Sequence, residues 1–99
     1  MDHIKALFEK MYKEPYPSEG GKEVRGIHLV LLDADTMGLS DWFIKGNLPV
    51  EKLKILEQCY LELKEVISHL QGKEKLYFES LKQLALEIIQ VERGKKFKP

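Results

Sequence analysis

After Pro49 the apolar residues keep a helical beat for more than forty positions, and this beat leaves the chain few folds to choose from. Leu53, Leu56, Tyr60, Leu63, Ile67 and Leu70 are separated by steps of 3, 4, 3, 4 and 3, which hold side chains on one stripe of an α-helix. Lys54, Gln58, Glu62 and Glu65 fall elsewhere on the wheel. Pro49 suits a first helical turn, Glu51 stands near the positive end of the dipole, and Gly46 and Asn47 suit the end of a preceding helix. A second run, Tyr77, Leu81, Leu84, Ile88 and Val91, repeats the spacing, with Phe78, Ala85 and Ile89 widening the stripe until Gly94. Gln71, Gly72 and Lys73 separate the runs, and His69 lies favourably in the turn before them. The expectation is a long C-terminal hairpin of two antiparallel helices.

At 100° per residue both apolar arcs span ~160°, wider than the ~100° stripe that serves a single neighbour. Each helix therefore needs further partners. Ile4, Leu7, Phe8 and Met11 supply one, a helix over 2–13 with Asp2 as its N-cap. A connector over 15–22 follows, where Pro15 and Pro17 fix φ and Gly20 and Gly21 loosen the chain. The stretch from Val24 to Lys45 supplies the other partner. The fold class is thus predicted as all-α, a small antiparallel bundle of about four helices. The 99 residues suit one domain over 1–99, with a basic tail over 94–99.

The run over 27–32 has no period that separates strand from helix. A strand would leave its backbone groups unpaired, and no second strand is legible elsewhere, so only edge pairing between two chains would rescue it. Helix is the expectation. It would be apolar all round, with Ile27, Leu31, Ala34 and Trp42 on one side and Leu29, Leu32, Leu39 and Phe43 on the other, which predicts a central position. Gly38 suggests a break, with Ser40 capping a short second helix.

Composition excludes several classes. Apolar residues make up 43% and charged residues 32%, the balance of a folded chain. Lys plus Arg and Asp plus Glu number 16 each, so no field of one sign draws nucleic acid or anionic lipid. One cysteine, Cys59, permits no internal disulfide, and residues 1–10 lack a signal-peptide core, which together suggest a reducing cytoplasm. No apolar run approaches the ~20 residues that cross a bilayer, so no membrane span is expected.

Asp33 and Asp35 are the most suggestive residues for chemistry. An apolar run ending in Asp-Ala-Asp resembles the strand end that holds Mg²⁺ in haloacid dehalogenases, but Thr36 follows directly where that pattern has Thr two places later, and the remaining residues cannot build the parallel sheet. On a helix, His28 and Asp35 would share a face between Leu31, Leu39 and Trp42, so that Asp35 would need a partner such as a neighbouring helix or the Trp42 indole. A polar pocket of His28, Asp33, Asp35 and Trp42 is the sharper alternative.

No catalytic group, metal set or cofactor is expected. His3, His28 and His69 lie on different elements, and Glu65 and His69 are one residue off the di-iron spacing with no second copy. Cys59 reads as a small hydrophobe. The serines have no nucleophile-elbow glycines and there is no phosphate loop. The segment over 72–99 carries 7 Lys and Arg against 4 Asp and Glu, whereas 27–49 has one Lys against three Asp. Nucleic-acid binding by Lys95, Lys96, Phe97 and Lys98 is therefore one alternative, and a ligand- or metal-binding bundle using Asp35, His28 and Asp33 another. The favoured expectation is a non-enzymatic helical protein that binds a protein partner or itself. Leu61, Leu76 and Leu86, which point away from the seams, are its candidate interface residues.

Overall fold

A computed structural model describes residues 2–17, 22–46 and 48–96. Its elements in chain order are α1 (Asp2–Lys13), β1 (Glu23–Val24), β2 (Ile27–His28), α2 (Leu29–Ile44), α3 (Val50–Ile67) and α4 (Gly72–Lys96). Four helices packed on one another, with one minimal hairpin, make the expected all-α bundle.

The two seams after Pro49 close as their spacing requires. Leu53, Leu56, Leu63, Ile67 and Leu70 are buried, as are Tyr77, Leu81, Leu84 and Ile88 opposite them. The α3–α4 contact is the most extensive in the molecule. Phe78, Ala85 and Ile89 widen the buried side of α4, which also packs on α1 and α2. Val66 to Leu70 turn tightly after α3, with His69 N–H donating to the Val66 carbonyl at 2.9 Å and Leu70 N–H to Ile67 at 3.1 Å. Gly72, in the left-handed region at φ 62°, opens α4. Gly94 does not stop that helix, which runs to Lys96. An exposed glycine costs a helix only ~1 kcal/mol, too little to end one whose buried side runs from Tyr77 to Ile89. Of the tail, Phe97, Lys98 and Pro99 lie outside the described residues, as do Ser18 to Gly21 and Asn47.

Ile4 and Met11 bury α1 against the bundle, and His3 Nε2 lies 3.1 Å from the Glu87 carboxylate on α4. The connector returns over α4, where Tyr16 meets Tyr77 and Phe78 edge-on at 5.8 and 6.1 Å between ring centroids.

The second strand that the sequence did not disclose is two residues long. Glu23 pairs with His28 and Val24 with Ile27, antiparallel, and the intervening Arg25 and Gly26 have φ of 51° and 81°. Positive φ at both central positions is the mark of a type I′ turn, whose twist suits a hairpin. Ile27 and His28 therefore precede the helix instead of opening it.

α2 runs unbroken through Gly38. Ser40 does not cap a new helix; its hydroxyl donates to the Thr36 carbonyl at 2.7 Å, and the Thr36 hydroxyl donates to that of Leu32 at 2.8 Å. Both hydroxyls are buried and satisfied within their own helix. Gly46, at φ 96°, ends the helix in the left-handed conformation, its N–H donating to the Phe43 carbonyl at 2.9 Å.

The predicted central place of α2 is not what forms. Leu29, Leu32, Thr36, Leu39, Ser40 and Phe43 face the core, while Leu31, Ala34, Asp35, Gly38 and Trp42 are exposed. The molecule is 18 Å through its thinnest direction, room for two layers of helices spaced ~8–10 Å apart. A helix in either layer keeps one side in solvent.

Candidate interaction surface

The outer side of α2 departs most from an ordinary surface. Leu31 is 59% exposed and Trp42 45%, joined by Ala34, Gly38 and the edge of Val30. These positions recur every third or fourth residue from the start of the helix to its end. An outward helical side is normally polar. Here Asp35 near its middle and the paired Asp41 and Lys45 toward its end are the charged members.

α3 borders this surface. The Lys52 ammonium sits over the Trp42 ring, 5.5 Å from its centroid. One turn further along α3 is Ile55, 46% exposed, and then Cys59, buried beside the Thr36 hydroxyl. Burial pushes the Cys59 thiol pKa up, and the nearby carboxylates of Asp35 and Glu62 add to the rise. Asp35 precedes Thr36 on α2 and Glu62 follows Cys59 by one turn on α3, so both carboxylates lie near Cys59 at one end of the α3 border, while Lys52 stands at the other. Glu62 accepts a hydrogen bond from Gln58 at 3.2 Å, and at the C-terminal end of α2 Lys45 contacts Asp41 at 2.8 Å.

On its other flank α2 meets α1 in a groove of about 520 Å³ lined by Phe8, Tyr12, Met37 and Gly38 together with the charged Glu9, Lys13, Asp41 and Lys45. Tyr12 is exposed and stacks on Phe8. Gly38 has open space above it, with no atom within 4 Å of where a Cβ would stand. Tyr12 thus lies across this partly charged groove from Gly38, and the apolar surface of α2 itself runs from Leu31 past the bare backbone at Gly38 to Trp42 and Ile55.

The four residues expected to share a polar pocket do not converge. His28 leaves the helix for the hairpin and contacts Glu23 at 3.0 Å. Asp35 is exposed to solvent, not buried. The partner expected for Asp35 belongs to Asp33, on the opposite flank, whose Oδ1 accepts a 2.7 Å hydrogen bond from the Tyr77 hydroxyl. Desolvation raises the Asp33 pKa above the ordinary carboxylate value despite that bond, and it raises that of Tyr77 too. Trp42 lies on the outer surface with Asp35. Among the described residues, no group of three or more His, Cys, Asp or Glu is gathered as a metal ion requires.

No protein family, curated protein or solved structure matches this chain. The surface therefore has to be read from its own chemistry.

The three outlying leucines separate. Leu61 and Leu86 share a shallow depression of about 180 Å³ with Tyr60 and Ile89, bordered by the ion pair of Arg93 and Glu57. Leu76, the most exposed of the three, lies apart in an open groove of about 850 Å³ with Tyr16, Pro17 and Tyr77. Ile55 and Tyr12 border the α2 surface although the sequence reading does not place them there. Ile55 could have been found, since it falls outside the 3, 4, 3, 4 seam of its helix. Tyr12 carries no such signal, because its place depends on how α1 lies across α2. Among the described residues, no helix is long and apolar enough to cross a membrane.

Proposed function

We propose that this chain is a non-enzymatic interaction protein whose working surface is the outer side of α2, bordered by Lys52 and Ile55. The observation that carries the reading is the open apolar stripe on a helix whose inner side is already fully packed. Contiguous exposed apolar surface with a polar border is characteristic of protein contact sites, and a partly solvated Trp is the kind of residue that anchors them. The single thiol and balanced charge suit a reducing cytoplasm.

The test is a photo-crosslinking amino acid placed at Leu31 or Trp42 in cells that make the protein, with Lys54, on the outward side of α3, as control. Protein adducts formed from positions 31 and 42 and not from 54 are expected. Their absence from both overturns the reading.

A second reading, a small-molecule site, is favoured by the groove beside Leu76, where Tyr16 and Tyr77 present aromatic edges and Lys10, Lys73 and Glu79 supply charges. A ligand that binds there in the folded state alone raises the melting temperature increasingly as its concentration exceeds its Kd. A compound screen read by thermal shift, repeated on Leu76→Asp, decides it; no hit that depends on Leu76 rejects this second reading.

A further inference from the structure

We infer that the occupant of the α2 surface is a second copy of this chain, laid antiparallel across a two-fold axis that passes beside Gly38. This deepens the interaction reading and rests on it.

The argument begins at Gly38. It is the one position on the outer side of α2 where a second helix can approach to backbone distance, and nothing of the chain itself stands above it. The large residues lie on either side: Leu31 is seven positions before it and Trp42 four positions after. An antiparallel copy centred on Gly38 brings each Trp42 over the partner's Ala34, a large side chain over a small one, twice by symmetry. Such reciprocal filling is what an isologous contact demands.

Charge fixes the same direction. Along the α3 border, Lys52 stands level with Trp42, and Glu62, one turn beyond Cys59, and Asp35, beside Thr36, each lie near Cys59. Within one copy, Lys52 and Glu62 are ten residues apart on one helix, roughly 15 Å, well beyond an ion pair. Reversing a second copy about Gly38 sets Lys52 of each beside Glu62 of the other, and Asp41, neutralised by its own Lys45, comes level with Asp35. A parallel pair, whose axis would run along α2, would instead carry the two α3 borders to opposite sides and leave these charges unmatched between copies. Ile55 of both copies then closes the border near the axis.

Sedimentation equilibrium of the full chain tests this. The expected mass at about 100 µM is twice the 11.5 kDa of one chain, loosening as salt is raised. Lys52→Glu or Glu62→Lys alone weakens the dimer by about tenfold or more, and the double swap Lys52→Glu with Glu62→Lys restores it. Such rescue requires that the two side chains meet between copies. Gly38→Leu abolishes the dimer while leaving the melting temperature of the single chain unchanged or raised, since leucine favours helix more than glycine. Far-ultraviolet dichroism confirms that each variant is folded.

A chain of single mass at every concentration overturns the self-pairing, as does a dimer indifferent to Gly38→Leu and to the charge swaps. The two readings fail separately. Foreign adducts from positions 31 and 42 on a monomeric chain leave the interaction surface standing and remove only the second copy as its occupant. A monomer with no adducts removes both.

Discussion

The Tyr77 hydroxyl donates a 2.7 Å hydrogen bond to Asp33, tying the start of α4 to the first turns of α2. Desolvation holds the Asp33 carboxyl above its ordinary pKa of about 3.8, so the folded chain keeps this proton to higher pH than the unfolded chain does. The contribution of Asp33 is then fully present below that ordinary value and is lost as pH rises through the raised one. Asp33→Asn, which keeps an acceptor for Tyr77 without the charge, is expected to match wild type near pH 4 and to be equally or more stable at pH 7. Tyr77→Phe removes the donor and costs about 1–3 kcal/mol at neutral pH. Urea melts at several pH values check both; a wild type that gains on Asp33→Asn as pH rises contradicts the assignment.

Arg25 occupies a left-handed conformation, φ 51°, in a turn whose first position favours Asn. Its side chain contacts Glu65 at 2.5 Å, but exposed ion pairs contribute only about 0–1 kcal/mol. Arg25→Asn is expected to hold or gain stability by up to about 1 kcal/mol, a rise of as much as roughly 4–8 °C in Tm. A loss above that size would mean that the ion pair outweighs the backbone strain.

Leu31 and Leu32 are neighbours in sequence and opposites in environment, one 59% and the other 2% exposed. Leu32→Ala is expected to cost about 2–5 kcal/mol. Leu31→Lys should stay within about 0.5 kcal/mol of wild type in the isolated chain. Denaturant unfolding at low protein concentration measures the pair; equal losses would place the outer side of α2 inside the fold.

Cys59 is buried and its thiol pKa is raised, which suppresses the reactive thiolate. A thiol reagent at pH 8 is expected to label the folded chain orders of magnitude more slowly than the chain in denaturant. Comparable rates would show that α3 opens locally at Cys59.

What the sequence disclosed follows from where its pattern was periodic. Leu53 to Leu70 and Tyr77 to Val91 each expose one stripe, so both the helices and their inner sides were legible. α2 has no such asymmetry, and its rotation about its own axis could not be read. That is why Asp35 was assigned the partner that Asp33 has, and why Leu31 and Trp42 were expected inside. The all-round apolarity itself was correctly read; what was missing was that a chain of this size covers only one side of such a helix. The hairpin was hidden for a different reason. Two residues per strand are too few to alternate, and Arg25-Gly26 lacks the Asn-Gly signature of its turn.

The hairpin straddles the turn between α3 and α4. Lys22 reaches Glu74 at 2.7 Å on one side and Arg25 reaches Glu65 on the other, so the β-ribbon works as a clasp over that corner of the bundle. Its fastening is ionic, and charged contacts at the surface fade as dissolved ions crowd in. Amide protons of His69 and Leu70 beneath it should therefore exchange with deuterium faster in concentrated salt, while those at Leu84 and Ile88, deep among aliphatic neighbours, keep their pace.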